Sequence, residues 1–157
     1  MLSLLAMIGI TSRTPNLARL ASKKSWAEMD HLFFKAAKIS IMLYGLGAIV
    51  ILAACYYLQS TLYANRIIPF MDMLILCLAF LSSQIVGLLA IYLRAHKTDP
   101  YVGLSVVGAL GVLIGVLIVT PSFGIRGSVS VLLFVHGVIG IPVALKIWIS
   151  YREKWHT

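Results

Sequence analysis

The chain has few charged side chains and very few acids. Only 11% of its 157 residues are charged, and five Asp and Glu stand against thirteen Lys and Arg. A soluble domain carries roughly 25% charged residues, so this composition argues against a soluble globular protein. Cysteine is scarce too: Cys55 and Cys77 both fall inside apolar runs, without CxxC or His/Cys spacing. The sequence therefore predicts no metal site, no redox site and no cofactor.

Long apolar runs separate the few charges. Hydrophobic residues make up 61% of the chain, and the mean hydropathy is +0.97. Each run reaches the roughly 20 residues that a helix needs to cross the hydrocarbon core. None shows the alternation typical of barrel strands. We therefore predict an all-α membrane protein with about four transmembrane helices in an antiparallel bundle. The predicted spans are residues 36–58, 68–93, 101–120 and 128–149.

The residues before the first span predict an amphipathic helix on the cytoplasmic side of the membrane. Residues 1–10 are apolar but too short to cross alone. Thr14-Pro15 is typical of a helix start, and Ser25 to Glu28 fits the S-x-x-E capping box. The apolar residues that follow recur at helical spacing: Met29, Leu32, Phe33 and Ala36. Three regions result: an interfacial segment (1–35), the transmembrane bundle (36–149) and a basic tail (150–157).

The basic residues predict the orientation. If the N-terminal segment is cytoplasmic, eleven of the thirteen Lys and Arg lie inside, and only Arg66 and Arg126 lie outside. This asymmetry follows the positive-inside rule and places both termini on the cytoplasmic side, or in the matrix for an organellar protein. The net charge of +8 thus indicates the lipid bilayer as partner and does not indicate nucleic acid.

Four motifs give the chain a family resemblance. Residues 14–20 (TPNLARL) resemble a "P-x-L-A-x-L" helix exit, and residues 28–36 resemble an "E-x-x-x-L-F-x-K-A" segment. Residues 92–101 resemble a "Y-L-R-A-x-x-x-x-x-P" loop, and residues 121–128 resemble a "P-x-F-G-I-x-G-A" turn. In this order they resemble the C-terminal portion of polysaccharide and lipid-linked oligosaccharide flippases of the multidrug/oligosaccharidyl-lipid/polysaccharide superfamily.

The resemblance implies a part of a transporter. Family members have about twelve helices in two lobes around a cavity, and the substrate site of such transporters lies between the repeats. This chain matches only the last four helices and the tail of the helix before them. The resemblance therefore implies a flippase-like transport protein of a bacterial inner membrane that does not transport alone. It implies as partners a lipid-linked oligosaccharide and other membrane helices, from a missing lobe or from further copies of the chain.

The substrate-facing candidates are the polar residues near the middle of the spans. Gln84 and Ser83 form a polar patch in the second span, and His136 lies in the fourth. Each could face a sugar or bond to a neighbouring helix. For the diphosphate of the substrate, the candidates at headgroup level are Arg94 and Lys97. Asp72, near the outer end of the second span, is either functional or lies at headgroup depth, where it is solvated or paired with Arg66 or Arg126.

Small residues predict where helices pack closely. Gly108, Gly111 and Gly115 lie on one face of the third span, and Gly111 and Gly115 form a GxxxG pair. Gly137 and Gly140 of the fourth span are their expected partners. Pro142 is expected to kink that span.

No catalytic motif accompanies these residues, so we predict a protein that is not an enzyme. A second hypothesis is a small accessory subunit of a larger membrane complex, for example in the mitochondrial inner membrane. Residues 1–27 contain four basic residues and no acid, which is typical of a transit peptide. The helix-start signals at Pro15 and Ser25 indicate instead that this region is retained.

Overall fold

The computed structural model describes residues 2–60, 67–96 and 99–156, with side chains described through residue 154. These residues are almost entirely helical, and the described ranges contain no strand. The elements are α1 (Leu2–Thr11), α2 (Thr14–Ser22), α3 (Trp26–Gln59), α4 (Phe70–Arg94), α5 (Tyr101–Leu133), a π-helix (Phe134–Gly140) and α6 (Ile141–His156). The predicted all-α class is therefore confirmed.

Three helical segments are long and apolar enough to cross a membrane within the described residues: Trp26–Gln59, Phe70–Arg94 and Tyr101–Lys154. The second begins and ends within two residues of the predicted span 68–93, because Pro69 interrupts the apolar run. The first ends one residue past the predicted span 36–58 but begins ten residues before it, at Trp26. The third covers both of the last two predicted spans. It is longer than one crossing requires, since roughly 20 residues suffice.

This third segment folds back on itself at Gly124. The residue has φ 57° and ψ −144°, a conformation that glycine adopts without steric cost. Gly115 lies against Val131, and Gly111 lies against Val135. Near the open end, the Tyr101 hydroxyl donates to the carbonyl oxygen of Ala144 at 2.8 Å. These contacts pair residues symmetrically about the turn, so the segment consists of two antiparallel helices.

The apolar helix α1 runs antiparallel to α3. The Ser40 hydroxyl on α3 donates to the carbonyl oxygen of Ala6 at 2.6 Å, and Leu2 lies against Gly47. Met7 approaches Gly87 on the other side, so α1 also contacts α4. The segment that was too short to cross alone thus packs between two membrane-length helices.

The residues just ahead of the first predicted span are buried and exposed at helical spacing. Met29, Phe33 and Ala36 are buried, while His31 and Lys35 are exposed, and the pattern continues without a break into α3. Two details of the predicted helix starts are wrong. A helix does start at Thr14-Pro15, but Arg13 occupies the capping position that we expected Thr14 to take. Ser25 precedes α3 but makes no side-chain capping bond, so the predicted capping box does not form.

Candidate functional site

A small pocket lies between α4 and the π-helix, near the middle of both elements. Ser83 and His136 line it together with Ala79, Phe80 and Leu132, and its volume is about 30 Å³. The structure thus brings together two of the three polar residues that the sequence analysis selected. Because a hydroxyl and an imidazole both donate and accept hydrogen bonds, the pocket can bind a hydroxylated group or a water molecule.

The π-helix accounts for the position of His136. The N–H of Ile141 donates to the carbonyl oxygen of His136, five residues earlier, which widens the turn. Pro142 follows directly, has no N–H to donate, and its ring crowds the carbonyl group four residues earlier in a regular helix. The expected kink at Pro142 therefore takes the form of a π-helical turn. Such turns occur frequently at functional sites.

Two glycines of the π-helix face α4, and Gly137 is the one in tight contact with it. A Cβ atom on Gly137 would lie 3.2 Å from the Ser82 hydroxyl oxygen, and one on Gly140 would lie 3.8 Å from a methyl group of Val86. We expected these glycines to face the glycines of the third span, and this is wrong. They face α4 instead.

The pocket is only partly open to the outside of the bundle. Phe80 at its rim is 49% exposed, and Ser83 and His136 are half-buried. Polar side chains at mid-membrane depth are costly against lipid and normally face protein or a water-filled cavity. This face of the bundle is therefore suited to contact with a further protein element or with a cavity.

Gln84, the third candidate, lies on a different side of α4 and is only 1% exposed. Its amide nitrogen donates to the Ser40 hydroxyl at 3.0 Å, and this hydroxyl donates to Ala6. The Gln84 side-chain oxygen has no partner among the described residues. The structure thus places Gln84 in a contact between α4, α3 and α1, which is the packing alternative.

The three glycines of the third span differ in their surroundings. A Cβ atom on Gly115 would lie 2.6 Å from a methyl group of Val131, which is too close without movement. On Gly111 it would lie 3.9 Å from Val135, an ordinary contact, and on Gly108 it would meet nothing within 4 Å. Close packing is therefore concentrated at Gly115, nearest the turn.

Of the two residues predicted to lie at headgroup level, the structure describes only Arg94. The Arg94 side chain is 57% exposed, and its Nε lies 2.7 Å from the Asp99 carboxylate. Its charge is thus already partly balanced, which weakens it as a phosphate ligand. Lys97 lies outside the described residues.

At the opposite end of the bundle, Asp72 accepts a hydrogen bond from Arg126. The Nε of Arg126 lies 2.9 Å from Asp72 Oδ1. The Asp72 side chain is 5% exposed and that of Arg126 is 66% exposed. Of the two partners expected for Asp72, Arg126 is the one found, and Arg66 lies outside the described residues. The ion pair ties the start of α4 to the turn at Gly124.

One polar cluster was missed by the sequence analysis. The Tyr92 hydroxyl donates to Asp30 Oδ1 at 2.7 Å, and Arg152 donates to Asp30 Oδ2. The Arg152 guanidinium also lies 5.1 Å from the ring centre of Trp148. The cluster joins α3, α4 and α6 at the predicted cytoplasmic side. The sequence places Asp30 on the polar face of its helix but gives no signal for partners 62 and 122 residues away.

The described residues contain no group of three or more His, Cys, Asp or Glu that could hold a metal ion. Cys55 and Cys77 are both free thiols. Comparison of the chain with protein-family models, with curated proteins and with solved structures finds no match.

Proposed function

We propose that this chain is part of a flippase-like membrane transport protein for lipid-linked oligosaccharides and does not transport alone. It corresponds to the last four helices of such a transporter, in a bacterial inner membrane with both termini cytoplasmic. The four crossings are α3, α4 and the two antiparallel halves of the segment that turns at Gly124. The order of the four sequence motifs supports this family.

The observation that carries the proposal is the outward-facing pocket of Ser83 and His136. Transporters place their substrate sites near the membrane midplane, between structural repeats. The proposed missing helices would cover this pocket and enclose a cavity with it. Hydroxyl and imidazole groups suit sugar hydroxyls, because both can donate and accept hydrogen bonds.

The size of the pocket explains why this chain does not transport by itself. A volume of about 30 Å³ holds roughly one water molecule. Ligand pockets for drug-sized molecules are typically about 300–1,000 Å³. The substrate diphosphate also requires cationic partners. Arg94 is partly balanced by Asp99, so further cations must come from other helices or from a rearranged loop.

A photocrosslinking experiment tests the proposal. The photoreactive residue p-benzoylphenylalanine replaces Phe80 at the pocket rim or, as a control, Val107, which is 68% exposed on α5. The chain is reconstituted in nanodiscs with a radiolabelled polyprenyl-diphosphate-linked N-acetylglucosamine. We expect the Phe80 position to label more strongly than the Val107 position, and His136→Leu to reduce the difference.

Equal labelling at the two positions contradicts the proposal, since it indicates contact with lipid in general. In membranes of the source cell, a crosslink from the Phe80 position to another protein without labelling by the lipid-linked sugar favours the accessory-subunit hypothesis. Flipping by the chain alone in liposomes, above protein-free vesicles, contradicts the statement that it does not transport alone.

A further inference from the structure

A second concave surface lies far from the pocket, between α2 and the first turns of α3. It is an open groove of about 550 Å³. Leu17 on α2 is fully buried in the core and fixes α2 against the bundle. A turn at Lys24, with φ 56°, then reverses the chain toward α3. Among the residues that line the groove are Asn16, Arg19, Leu20, Glu28, His31 and Leu32.

Two opposite charges line this groove without being joined to each other. Arg19 and Glu28 are both exposed, and no ion pair within 4.0 Å links them in the described part of the chain. The amide of Asn16 and the imidazole of His31 add uncharged hydrogen-bonding groups nearby. A ligand that carries both an anion and a cation would therefore find an opposite charge for each.

The groove spans the lipid headgroup layer and the water next to it in the proposed topology. Leu32 and Glu28 precede residue 36, where the first predicted span begins, by four and eight residues, or about 6 and 12 Å along the helix axis. Leu20 and Leu32 are half-buried and give the groove an apolar part. This combination of charges and apolar side chains suits a membrane lipid better than a free, fully hydrated ion.

We propose that this groove binds a phospholipid whose headgroup carries a phosphate and a primary ammonium, as in phosphatidylethanolamine. The phosphate accepts hydrogen bonds from the Arg19 guanidinium and the Asn16 amide. The ammonium donates to the Glu28 carboxylate. A trimethylated ammonium has no N–H to donate, and a headgroup without a cation leaves Glu28 facing the phosphate. The groove therefore prefers ethanolamine over choline and glycerol headgroups.

The exposed lysines near the groove provide the competing outcome. Lys23, Lys24 and Lys35 are exposed and attract anionic lipids without regard to headgroup shape. This attraction would strengthen the binding of phosphatidylglycerol but not that of phosphatidylethanolamine. Comparison of these two lipids therefore separates recognition in the groove from the general pull of a basic surface.

Native mass spectrometry of the full chain tests the proposal. The protein is equilibrated with equal amounts of phosphatidylethanolamine, phosphatidylcholine and phosphatidylglycerol, and the retained lipids are counted. We expect phosphatidylethanolamine to be enriched about 1.5-fold to fivefold over each of the others, the range of exposed ion pairs. Glu28→Gln should remove the preference over phosphatidylcholine, and Glu28→Asp should retain it. Arg19→Gln should lower retention of all three lipids.

Lys35→Gln is the matched control, because Lys35 is exposed on the same helix but does not line the groove. It should leave the ratio of phosphatidylethanolamine to phosphatidylcholine unchanged. Strongest retention of phosphatidylglycerol, unaffected by Glu28→Gln, overturns the proposal in favour of general charge attraction. Retention of the three lipids in equal amounts overturns it as well.

Discussion

Gln84 joins three helices through two consecutive hydrogen bonds. Its amide bonds to Ser40 on α3, and Ser40 bonds to the carbonyl oxygen of Ala6 on α1. All three groups are buried, so a broken bond is not replaced by one to bulk water. Ser83, the next residue along α4, faces the outward pocket instead. Two neighbouring polar residues of one helix thus have different surroundings.

We expect Gln84→Leu to destabilise the bundle by about 0.6–2 kcal/mol, the range of hydrogen bonds between membrane helices. Ser40→Ala should have a similar effect, because it removes the same bond and the one to Ala6. The double variant should lose less than the sum, since both changes break the same contact. Thermal unfolding in detergent measures these losses.

Ser105→Ala is a suitable control for this series, because Ser105 is exposed on α5 and should have little effect. Fully additive losses in the double variant would contradict the contact between Gln84 and Ser40.

Two features determine the shape of the helical segment after residue 100. Gly124 turns the chain, and Gly115 lets the two halves approach. Thr120 and Ser128 add a hydrogen bond of 2.7 Å between the halves next to the turn. Contact is closest near the turn and looser toward Gly108.

Gly115→Leu should therefore separate the two halves, whereas Gly108→Leu should be tolerated. The first change places a side chain against Val131, and overpacking typically costs about 1–3 kcal/mol. The second enters open space. Thermal stability in detergent compares the two variants, which differ only in position. A Gly115→Leu variant as stable as Gly108→Leu would show that the halves do not pack closely there.

The sequence predicted the membrane-length helices well, because length and apolarity are local properties that depend on no partner. The turn between the last two predicted spans was also visible, since Pro121 and Gly124 interrupt the apolar pattern. The π-helix, the contact of α1 with α3 and the Asp30 cluster were not predicted. Each depends on how neighbouring helices rotate and pack against one another. Because the apolar surfaces of these helices are similar, the sequence alone does not determine which surfaces meet.

For the candidate site, the sequence identified Ser83 and His136 but not that they share a pocket. Residue type and depth in the membrane are readable from one sequence, whereas the facing partner is not. Gln84 and Ser83 are both polar and lie at the same depth, so the sequence alone does not distinguish them. The rotation of α4 against α3 places Gln84 against Ser40 and Ser83 in the pocket.

At the scale of the whole molecule, the N-terminal helices form part of the core. Ala6, Ile10 and Leu17 are buried, and Ile10 and Leu17 pack in one cluster with Met29 and Tyr92. A cleaved transit peptide would remove these contacts and expose the cluster. We therefore expect the mature protein to retain α1 and α2. Intact-mass measurement of the protein purified from its membrane checks this, and loss of twenty or so N-terminal residues would favour the organellar hypothesis.

We propose a bundle that crosses the membrane four times with both termini on the cytoplasmic side. Phe123, next to the turn at Gly124, is 70% exposed, and Ser150 on α6 is exposed. Single cysteines at these positions, with Cys55 and Cys77 replaced by alanine, can be labelled by an impermeant maleimide in intact cells and in inverted vesicles. We expect Phe123→Cys to react only from outside and Ser150→Cys only from the cytoplasmic side. Reaction of Ser150→Cys from outside, with Phe123→Cys unreactive from both sides, would contradict this proposal, because the segment after residue 100 would then cross only once.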